Sequence, residues 1–183
     1  MPELPEVETI MRGVSLFLEG ATIKKVRLNR PDLRWPFPEN FADRLSEAKV
    51  LGLKRRSKYI LVNLSTYETL LIHLGMSGRI LISGSKIGNF LREPVKVSKH
   101  DHVIFELNDG TFITYNDPRR FGAMDLAKTN DLNNHKFLKK LGPEPLGNNF
   151  NSDYLKMSLS KKESPIKNVL LDQSIISGLG NIY

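Results

Sequence analysis

The chain changes partway along its length from segments of strand character to segments of helical character, and this change limits the folds it can adopt. Between Ile23 and Tyr115 short apolar segments typical of strands recur, whereas past residue 126 the strand pattern stops. A Pro/Gly-rich stretch at 142–147 follows, and such stretches break regular structure. We therefore predict an α+β chain in which a β-rich domain, a hinge and the start of a helical domain follow one another.

One amphipathic helix is predicted ahead of the strands. Apolar residues recur at helical spacing between Val7 and Leu18. Glu6 and Glu8 lie in the first turn, where the helix dipole favours acids, and Gly20 is a natural stop. The pattern predicts a helix from about residue 5 to 19.

The strand segments and a short second helix follow. Asn108-Asp109-Gly110 predicts a hairpin turn, because Asp-Gly tolerates the positive φ that such turns need. A helix is predicted around Phe41–Ala48, with Asn40 as its N-cap. The predicted strands are Ile23–Leu28, Tyr59–Leu64, Leu70–Leu74, Ile80–Ile82, Val103–Leu107 and Thr111–Tyr115.

Helices are predicted throughout the last third of the chain. Leu132, Leu138 and Leu141 indicate a helix that ends at Gly142. Residues 152–162 and 165–173 also have helical character.

Charge and composition limit the classes of protein to which this chain can belong. The net charge of +7 favours a polyanionic partner such as nucleic acid, although a basic surface also serves plain solubility. No apolar run approaches the roughly 20 residues of a membrane span, and the N-terminus lacks the pattern of a signal peptide. The chain has no cysteine, which excludes disulfides and thiolate metal sites within it. We therefore expect a cytoplasmic protein.

The N-terminus offers a candidate nucleophile. Because Pro2 is small, we expect Met1 to be removed, which leaves Pro2 with a free secondary amine. An α-amino group has a lower ordinary pKa than a lysine, so a useful fraction is neutral and can attack a sugar C1′. The iminium ion that forms is an electron sink for phosphate elimination, and Glu3 could shuttle protons. Met-Pro starts are common and mostly inert, so this pair is weak on its own.

The opening segment and five later ones, in order, make the sequence resemble one family. The opening Met1–Thr9 resembles the start of formamidopyrimidine-DNA glycosylase, the bacterial enzyme that removes oxidised purines. Four later segments agree with it: Lys54–Tyr59, His73–Gly78, Lys99–His102 and Asp117–Gly122. A fifth resembles the start of its helix–two-turn–helix, Leu171-Asp172-Gln173 followed by Ser177–Tyr183.

The resemblance implies a role for each matching residue. Pro2 is the Schiff-base nucleophile, Glu3 the general acid/base, Lys58 a second essential base that contacts the lesion's phosphate, and Glu6 a neighbour of the lesion pocket. Met76, Arg119 and Phe121 fill the gap left by the flipped nucleotide. The remaining expected DNA contacts are His73, His100, Arg120, Lys167 and Asn181.

Base flipping gives these residue types a physical reason. A glycosylase must extrude the nucleotide to reach C1′, and the extrusion leaves a hole and an unpaired partner base. Apolar Met76 and Phe121 suit the hole, and the planar guanidinium of Arg119 suits the partner's edge. Considered singly, Met76 could equally fill a core and Phe121 could pack under a hairpin.

Other polar clusters leave two interpretations open. The run Lys54, Arg55, Arg56 and Lys58 precedes a strand and could be a solvated face or could track phosphates. His100 and His102 are expected on opposite faces of a strand, which disfavours a metal site. The glycine turn 178–180 could bring backbone N–H groups to a phosphate or simply connect two helices.

The resemblance also implies a fold, an activity and partners. It implies a catalytic β-sandwich domain with a leading helix at 1–127, a hinge with a short helix at 128–147, and an incomplete helix–two-turn–helix domain at 148–183. The implied activity is that of a bifunctional DNA glycosylase/AP lyase on 8-oxoguanine and formamidopyrimidines, with β,δ-elimination. The partner is double-stranded DNA with oxidised purines or abasic sites, and the protein is a nucleoid-associated monomer.

Part of the family pattern has no counterpart in this sequence. Family members continue into the rest of the helical domain, a lesion-capping loop and a zinc ribbon of four cysteines, so zinc is expected only in the full-length protein. We interpret the sequence as truncated, with weak or absent activity. The alternatives are a catalytically impaired DNA-binding fragment and an enzyme of the endonuclease VIII type that prefers oxidised pyrimidines.

Overall fold

The leading helix α1, Leu4–Leu18, packs its buried face against the sheets. Pro5 fits the first turn because its missing N–H has no helical acceptor there. The Glu6 side chain accepts a hydrogen bond from the Glu3 N–H at 3.0 Å, which satisfies one donor at the helix start. Val7 and Val14 are buried on the inner face. The predicted helix is confirmed, with each end shifted by one residue.

Eight strands form in the computed structural model, which describes residues 2–84, 98–160 and 162–183. Met1, whose removal is expected, lies outside the described residues. All six predicted strands are present, and the hairpin at Asn108–Gly110 is confirmed, with Gly110 at φ 83°. The strands are β1 Ile23–Leu28, β2 Val50–Arg56, β3 Tyr59–Leu64, β4 Glu68–His73, β5 Arg79–Gly84, β6 Asp101–Leu107, β7 Thr111–Asn116 and β8 Ala123–Lys128.

The strands form two four-stranded antiparallel sheets. One sheet has the order β1-β6-β7-β5 and the other β2-β3-β4-β8. A single large core contains side chains from both sheets and from α1, for example Val14, Ile72 and Phe105. The predicted α+β fold, a β-sandwich with a leading helix, is confirmed.

Two strands escaped prediction because their sequences lack a strand pattern. The second half of β2 is basic, and its strand conformation depends on pairing with β3. The sequence of β8, Ala-Met-Asp-Leu-Ala-Lys, consists mostly of helix formers, yet it pairs with β4 along six residues. In both strands long-range pairing outweighs local preference.

Two details of the predicted helices are wrong. The second helix, α2, covers only Phe41–Leu45, and Asn40 is left-handed (φ 53°) without a side-chain cap bond. No α-helix ends at Gly142; a 3₁₀ helix, Thr129–Asn134, is followed by turns. The leucines that suggested a helix there instead pack on the outer face of a sheet, with Leu138 against Leu61 and Leu71.

The two helices predicted at 152–162 and 165–173 are present. Helices α3, Ser152–Leu159, and α4, Ile166–Leu171, are shorter than expected. They share a small core that includes Val169, Ile175 and Ile176. None of the helices in the described part of the chain combines the length and apolar character of a membrane span.

Candidate active site

The carboxylate of Glu3 is buried at the start of α1. The residue is only 1% exposed, although ionised carboxylates are rarely buried without partners. Its Oε1 accepts a hydrogen bond from the Ile182 N–H at 2.8 Å, and its Oε2 accepts one from the Tyr183 N–H at 3.4 Å. Pro2 precedes it and is half-buried. The fold therefore places the candidate nucleophile and the candidate acid/base in a partly enclosed position.

The glycine turn at 178–180 makes room for this carboxylate. A Cβ on Gly180 would lie 2.1 Å from Glu3 Cδ, and a Cβ on Gly178 would lie 2.5 Å from Leu4 Cδ1. The two glycines thus let the C-terminal turn close on the N-terminus. This packing is a structural reason for the glycines that the sequence did not suggest.

Lys58 lies beside the same turn. It follows Ser57, which has φ 55°, in the tight turn between β2 and β3. Its Nζ donates to the Leu179 carbonyl at 3.2 Å. Burial lowers the pKa of Lys58, and the carboxylates of Glu3 and Glu6 only partly oppose this effect. The ammonium therefore loses its proton more readily than that of an ordinary lysine.

Glu6 joins this group from the first turn of α1. Its Oε1 accepts a hydrogen bond from the Tyr183 hydroxyl at 2.7 Å. That bond is the main reason why the pKa of Glu6 is lowered, so the side chain is ionised at neutral pH. Four of the residues predicted from the resemblance therefore lie in one region: Pro2, Glu3, Glu6 and Lys58.

A second group of predicted residues lines one cleft of about 640 Å³. Met76 and Phe121 are 42% and 43% exposed. Met76 therefore does not fill a core, and Phe121 is not packed away under a hairpin. The Arg119 guanidinium lies 4.7 Å from the centre of the Phe121 ring. The lining residues are Leu33, Arg34, His73, Gly75, Met76, Arg119, Arg120 and Phe121.

His73 connects the two groups. Burial, together with the positive charges of Lys58 and Arg34, lowers its pKa to about 4, so its ring is neutral at pH 7. Its Nδ1 accepts a hydrogen bond from the Gly75 N–H at 3.2 Å, which assigns the ring proton to Nε2. The ring also packs on Tyr59, with 4.8 Å between ring centres. His73 therefore carries one neutral N–H donor, at Nε2.

Two of the four basic residues at 54–58 are engaged inside the protein. Arg55 Nε lies 2.8 Å from Glu8, and Arg55 Nη1 lies 2.7 Å from Glu144. Arg56 lies 2.7 Å from Glu144 and donates to the Gly142 carbonyl at 2.6 Å. These arginines lie in strand β2, and the run precedes strand β3, as predicted. Neither open interpretation of the cluster describes the two arginines, because their ion pairs connect segments of the protein that are distant in sequence.

Some predicted residues lie outside this arrangement. His100 is in the turn before β6, which corrects its expected place within a strand, while His102 is buried and its Nε2 lies 2.8 Å from the Asp117 carbonyl. Lys167 on α4 and Asn181 in the C-terminal turn are exposed, and neither belongs to the cleft lining.

Sequence reasoning assigned no role to three residues that shape the cleft. Arg34 lines it, with its guanidinium 4.6 Å above the Trp35 ring. The side chain of Asp117 is buried behind it and hydrogen-bonded to Ser77. A basic residue beside an aromatic one was the available signal for Arg34, whereas Ser77 and Asp117 lie in two segments that carry the resemblance but were given no role of their own.

The residues present do not fit a zinc site. The chain has no cysteine, and the part that the structure describes has no group of three or more His, Asp or Glu side chains placed to hold a metal ion.

Comparisons with known proteins agree on one family. The model of the formamidopyrimidine-DNA glycosylase N-terminal domain matches residues 1–124, and that of the formamidopyrimidine-DNA glycosylase H2TH domain matches residues 141–183. Formamidopyrimidine-DNA glycosylases of Ruegeria pomeroyi and Jannaschia sp. are 57% and 59% identical over the whole chain. The chain spans 65% of the length of these two relatives.

Solved structures show the same fold. Lactococcus lactis formamidopyrimidine-DNA glycosylase bound non-covalently to DNA with an AP site superimposes with a TM-score of 0.86 at 31% identity, covering 99% of this chain and 66% of that one. A G226P mutant of the L. lactis enzyme with Fapy-dG DNA gives 0.86 at 33% identity, covering 100% and 64%. The chain described here belongs to the formamidopyrimidine-DNA glycosylase family.

Proposed function

We propose that this chain is the catalytic part of a bifunctional DNA glycosylase/AP lyase that removes oxidised purines, 8-oxoguanine and formamidopyrimidines, in base excision repair. One observation carries the proposal: the Glu3 carboxylate, next to Pro2, is buried, held by backbone N–H donors and close enough to Lys58 to affect its pKa. A buried acid beside an amine suits proton transfer during nucleophilic attack.

The chemistry follows from the secondary amine. After removal of Met1, the Pro2 nitrogen attacks C1′ and the bond from C1′ to the base breaks, the departing base taking up a proton as the amine loses one. Protonation of the sugar oxygen O4′ then breaks the C1′–O4′ bond, which opens the ring and leaves an iminium ion between the Pro2 nitrogen and C1′. The iminium withdraws electrons, which allows the 3′ and then the 5′ phosphate to be eliminated. Glu3 transfers protons in these steps, and Lys58 binds the phosphate of the extruded nucleotide.

The cleft supplies the DNA geometry. Met76 and Phe121 occupy the space that the extruded nucleotide leaves, and Arg119 hydrogen-bonds to the unpaired partner base. The neutral ring of His73 and the exposed cation of Arg120 contact the backbone on either side. His100, Lys167 and Asn181 extend the phosphate contacts beyond the cleft, and the protein binds as a monomer.

Trapping with borohydride tests the nucleophile. Reduction of the iminium links the protein covalently to the DNA, so a duplex with 8-oxoguanine or an abasic site should give an adduct. Pro2→Gly, which replaces the secondary amine, should abolish most of the trapping. Equal trapping by Pro2→Gly would rule out this assignment, and DNA binding without any nicking of abasic DNA would favour a non-catalytic protein.

A matched pair of carboxylate variants tests Glu3. Glu3→Gln should slow excision of 8-oxoguanine by about 100-fold or more, the usual contribution of a positioned acid/base. Glu19→Gln is the control, because Glu19 also accepts a backbone N–H, that of Leu53 at 3.1 Å, but is exposed. A duplex with an oxidised pyrimidine should be included, since an L. lactis relative has been solved with such DNA. Faster excision of the pyrimidine would favour the endonuclease VIII alternative.

A further inference from the structure

The three side chains of the cleft that are proposed to enter DNA come from two separate turns. Met76 lies in the turn Gly75–Gly78 after β4, whereas Arg119 and Phe121 lie in the turn Asp117–Gly122 between β7 and β8. The turns touch through their backbones: a Cβ on Gly75, which has φ 62°, would lie 2.4 Å from the Phe121 carbonyl carbon. Any insertion by the three side chains therefore depends on how one turn is held against the other.

Ser77 and Asp117 join the turns through side chains. The Ser77 hydroxyl donates to Asp117 Oδ1 at 2.5 Å, and these two oxygens share the Arg119 N–H, at 3.2 Å from Ser77 Oγ and 3.3 Å from Asp117 Oδ1. The other oxygen, Asp117 Oδ2, accepts from the Gly122 N–H at 2.9 Å. Both oxygens of a buried carboxylate thus contact the turns that carry the cleft side chains.

The Tyr115 hydroxyl forms further contacts beside the Ser77–Asp117 pair. It donates to the His73 carbonyl at 3.2 Å and lies 3.5 Å from Asp117 Oδ2. A Cβ on Gly122 would lie 1.6 Å from this hydroxyl oxygen, and a Cβ on Gly78 would lie 2.6 Å from it. The glycine at the end of each turn therefore lets the backbone close on the phenol.

Burying the Asp117 carboxylate is unfavourable for folding, so its presence in the protein calls for another reason. Removing an ionised group from water is unfavourable, and well-packed apolar residues often give equal or better stability. What the carboxylate adds is directional bonding, which holds two turns in one relative geometry.

We propose that Ser77 and Asp117 form a clamp that sets the position of Met76 relative to Arg119 and Phe121, and so determines how well the protein distinguishes DNA with a missing base from intact duplex. Both are positioning residues, since neither lines the cleft. The inference rests on the proposed function, because it assumes that the three cleft side chains enter the duplex.

Ser77→Ala tests the clamp because it removes the shared hydroxyl. The Kd should be measured for a duplex with a tetrahydrofuran abasic analogue and for the intact duplex, and their ratio compared with that of the native chain. We expect the preference to fall about tenfold, as for the loss of a hydrogen bond to a charged group, with the Tm lowered by only about 2–10 °C and the chain still folded. Ser77→Thr, which keeps a hydroxyl, should restore most of the preference.

Ser65→Ala is the matched control. Its hydroxyl also accepts a backbone N–H, that of Lys49 at 3.0 Å, in a turn that does not line the cleft. Amide exchange in the free protein adds a readout without DNA: the Arg119 N–H, which keeps only the bond to Asp117 Oδ1, should exchange about threefold faster in Ser77→Ala and be unchanged in Ser65→Ala.

The outcomes separate the clamp from the proposed function. If Ser77→Ala kept the native preference for the abasic analogue, or if amide exchange at Arg119 were unchanged, the clamp alone would be overturned. A native chain without any preference would overturn the insertion of Met76, Arg119 and Phe121, and with it both proposals.

Discussion

Buried polar side chains decide most of what the candidate site can do. Glu3 is enclosed yet keeps two backbone N–H donors, and Lys58 is desolvated beside it. Such pairing of burial with a nearby group of opposite charge is the usual way in which a fold prepares proton-transfer residues near neutral pH. At His73 burial is the main cause of the lowered pKa, and the positive charges of Lys58 and Arg34 add to it, so the ring stays neutral.

The lowered pKa of His73 predicts a pH dependence of stability. Its pKa is about 4 in the folded chain against an ordinary 6.5, so between these values the unfolded chain binds more protons than the folded one. The free energy of unfolding should therefore rise with pH from about 4 to 6.5, and this group contributes at most about 3 kcal/mol.

Chemical denaturation at several pH values checks this. His73→Gln should flatten the dependence across that interval, whereas His100→Gln, in the turn before β6, should leave it as in the native chain. An unchanged slope in His73→Gln would show that the folded ring accepts a proton as readily as the unfolded one.

At the scale of the elements, turns bring the functional residues together. The turn between β2 and β3 carries Lys58, and the Gly178–Gly180 turn carries the carbonyl that Lys58 contacts. Strands supply fixed ends from which these turns project, which is why the candidate residues lie at strand and helix termini rather than within elements.

Gly180→Ala tests how closely the C-terminal turn must approach α1. The added Cβ would lie 2.1 Å from the Glu3 carboxyl carbon, and Glu3 is buried, so its side chain or the turn must move. We expect the free energy of unfolding to fall by about 1–3 kcal/mol, as for overpacking. The rate of base excision should fall by a larger proportion, because Glu3 itself is displaced. Thermal unfolding and an 8-oxoguanine excision assay measure the two effects.

Gly13→Ala is the control for that variant. Gly13 lies within α1, and a Cβ there meets nothing within 4 Å. It should stabilise the chain by about 0.5–1 kcal/mol, because alanine favours helix more than glycine does. If Gly180→Ala behaved like Gly13→Ala, close packing of the turn on Glu3 would not matter.

On the scale of the whole molecule, one ion-pair network fastens the last part of the chain to the β-sandwich. Glu144 receives hydrogen bonds from Arg55, Arg56 and the Ser57 N–H, and Arg56 also donates to the Ser177 hydroxyl. Burial acts to raise the pKa of Glu144, but these bonds outweigh it and the pKa is lowered. The network thus connects β2 with residues on both sides of α3 and α4.

Glu144→Gln should loosen this connection. The amide cannot serve all three donors and removes the charge that balances two arginines, so the free energy of unfolding should fall by about 1–3 kcal/mol near neutral pH. Because the pKa of Glu144 is lowered in the folded chain, its contribution is present above the unfolded pKa and is lost as pH falls through the folded one.

Denaturation and amide exchange at Ser57 and Ser177 measure the loosening. The Ser57 N–H bonds directly to Glu144, and the Ser177 N–H bonds to the neighbouring Pro143 carbonyl, so both should exchange faster. Glu163→Gln, at an exposed position, should change neither. Faster exchange at Ser57 alone would mean that the network holds only its own turn.

Local pattern was enough to predict α1, six strands, the hairpin at Asn108–Gly110 and the succession of a β-rich region by helices. Apolar periodicity records which face of a segment is buried, and that information is contained in each segment. Residue type made Pro2 and Glu3 candidates for a nucleophile and a proton carrier, but only the resemblance to the family gave that pair weight. Their roles, the domain boundaries and the DNA contacts remain predictions.

Only the tertiary structure determined which residues form ion pairs and which strands pair with each other. Arg55 and Arg56 look like a free basic surface until Glu8 and Glu144, distant in sequence, are placed against them. Likewise β8 is a strand because β4 pairs with it. Glu3 acquires its partners from residues 179 and 180 positions away. Sequence pattern is local, whereas ion pairing, strand pairing and burial depend on which distant segments meet, and only the folded chain determines that.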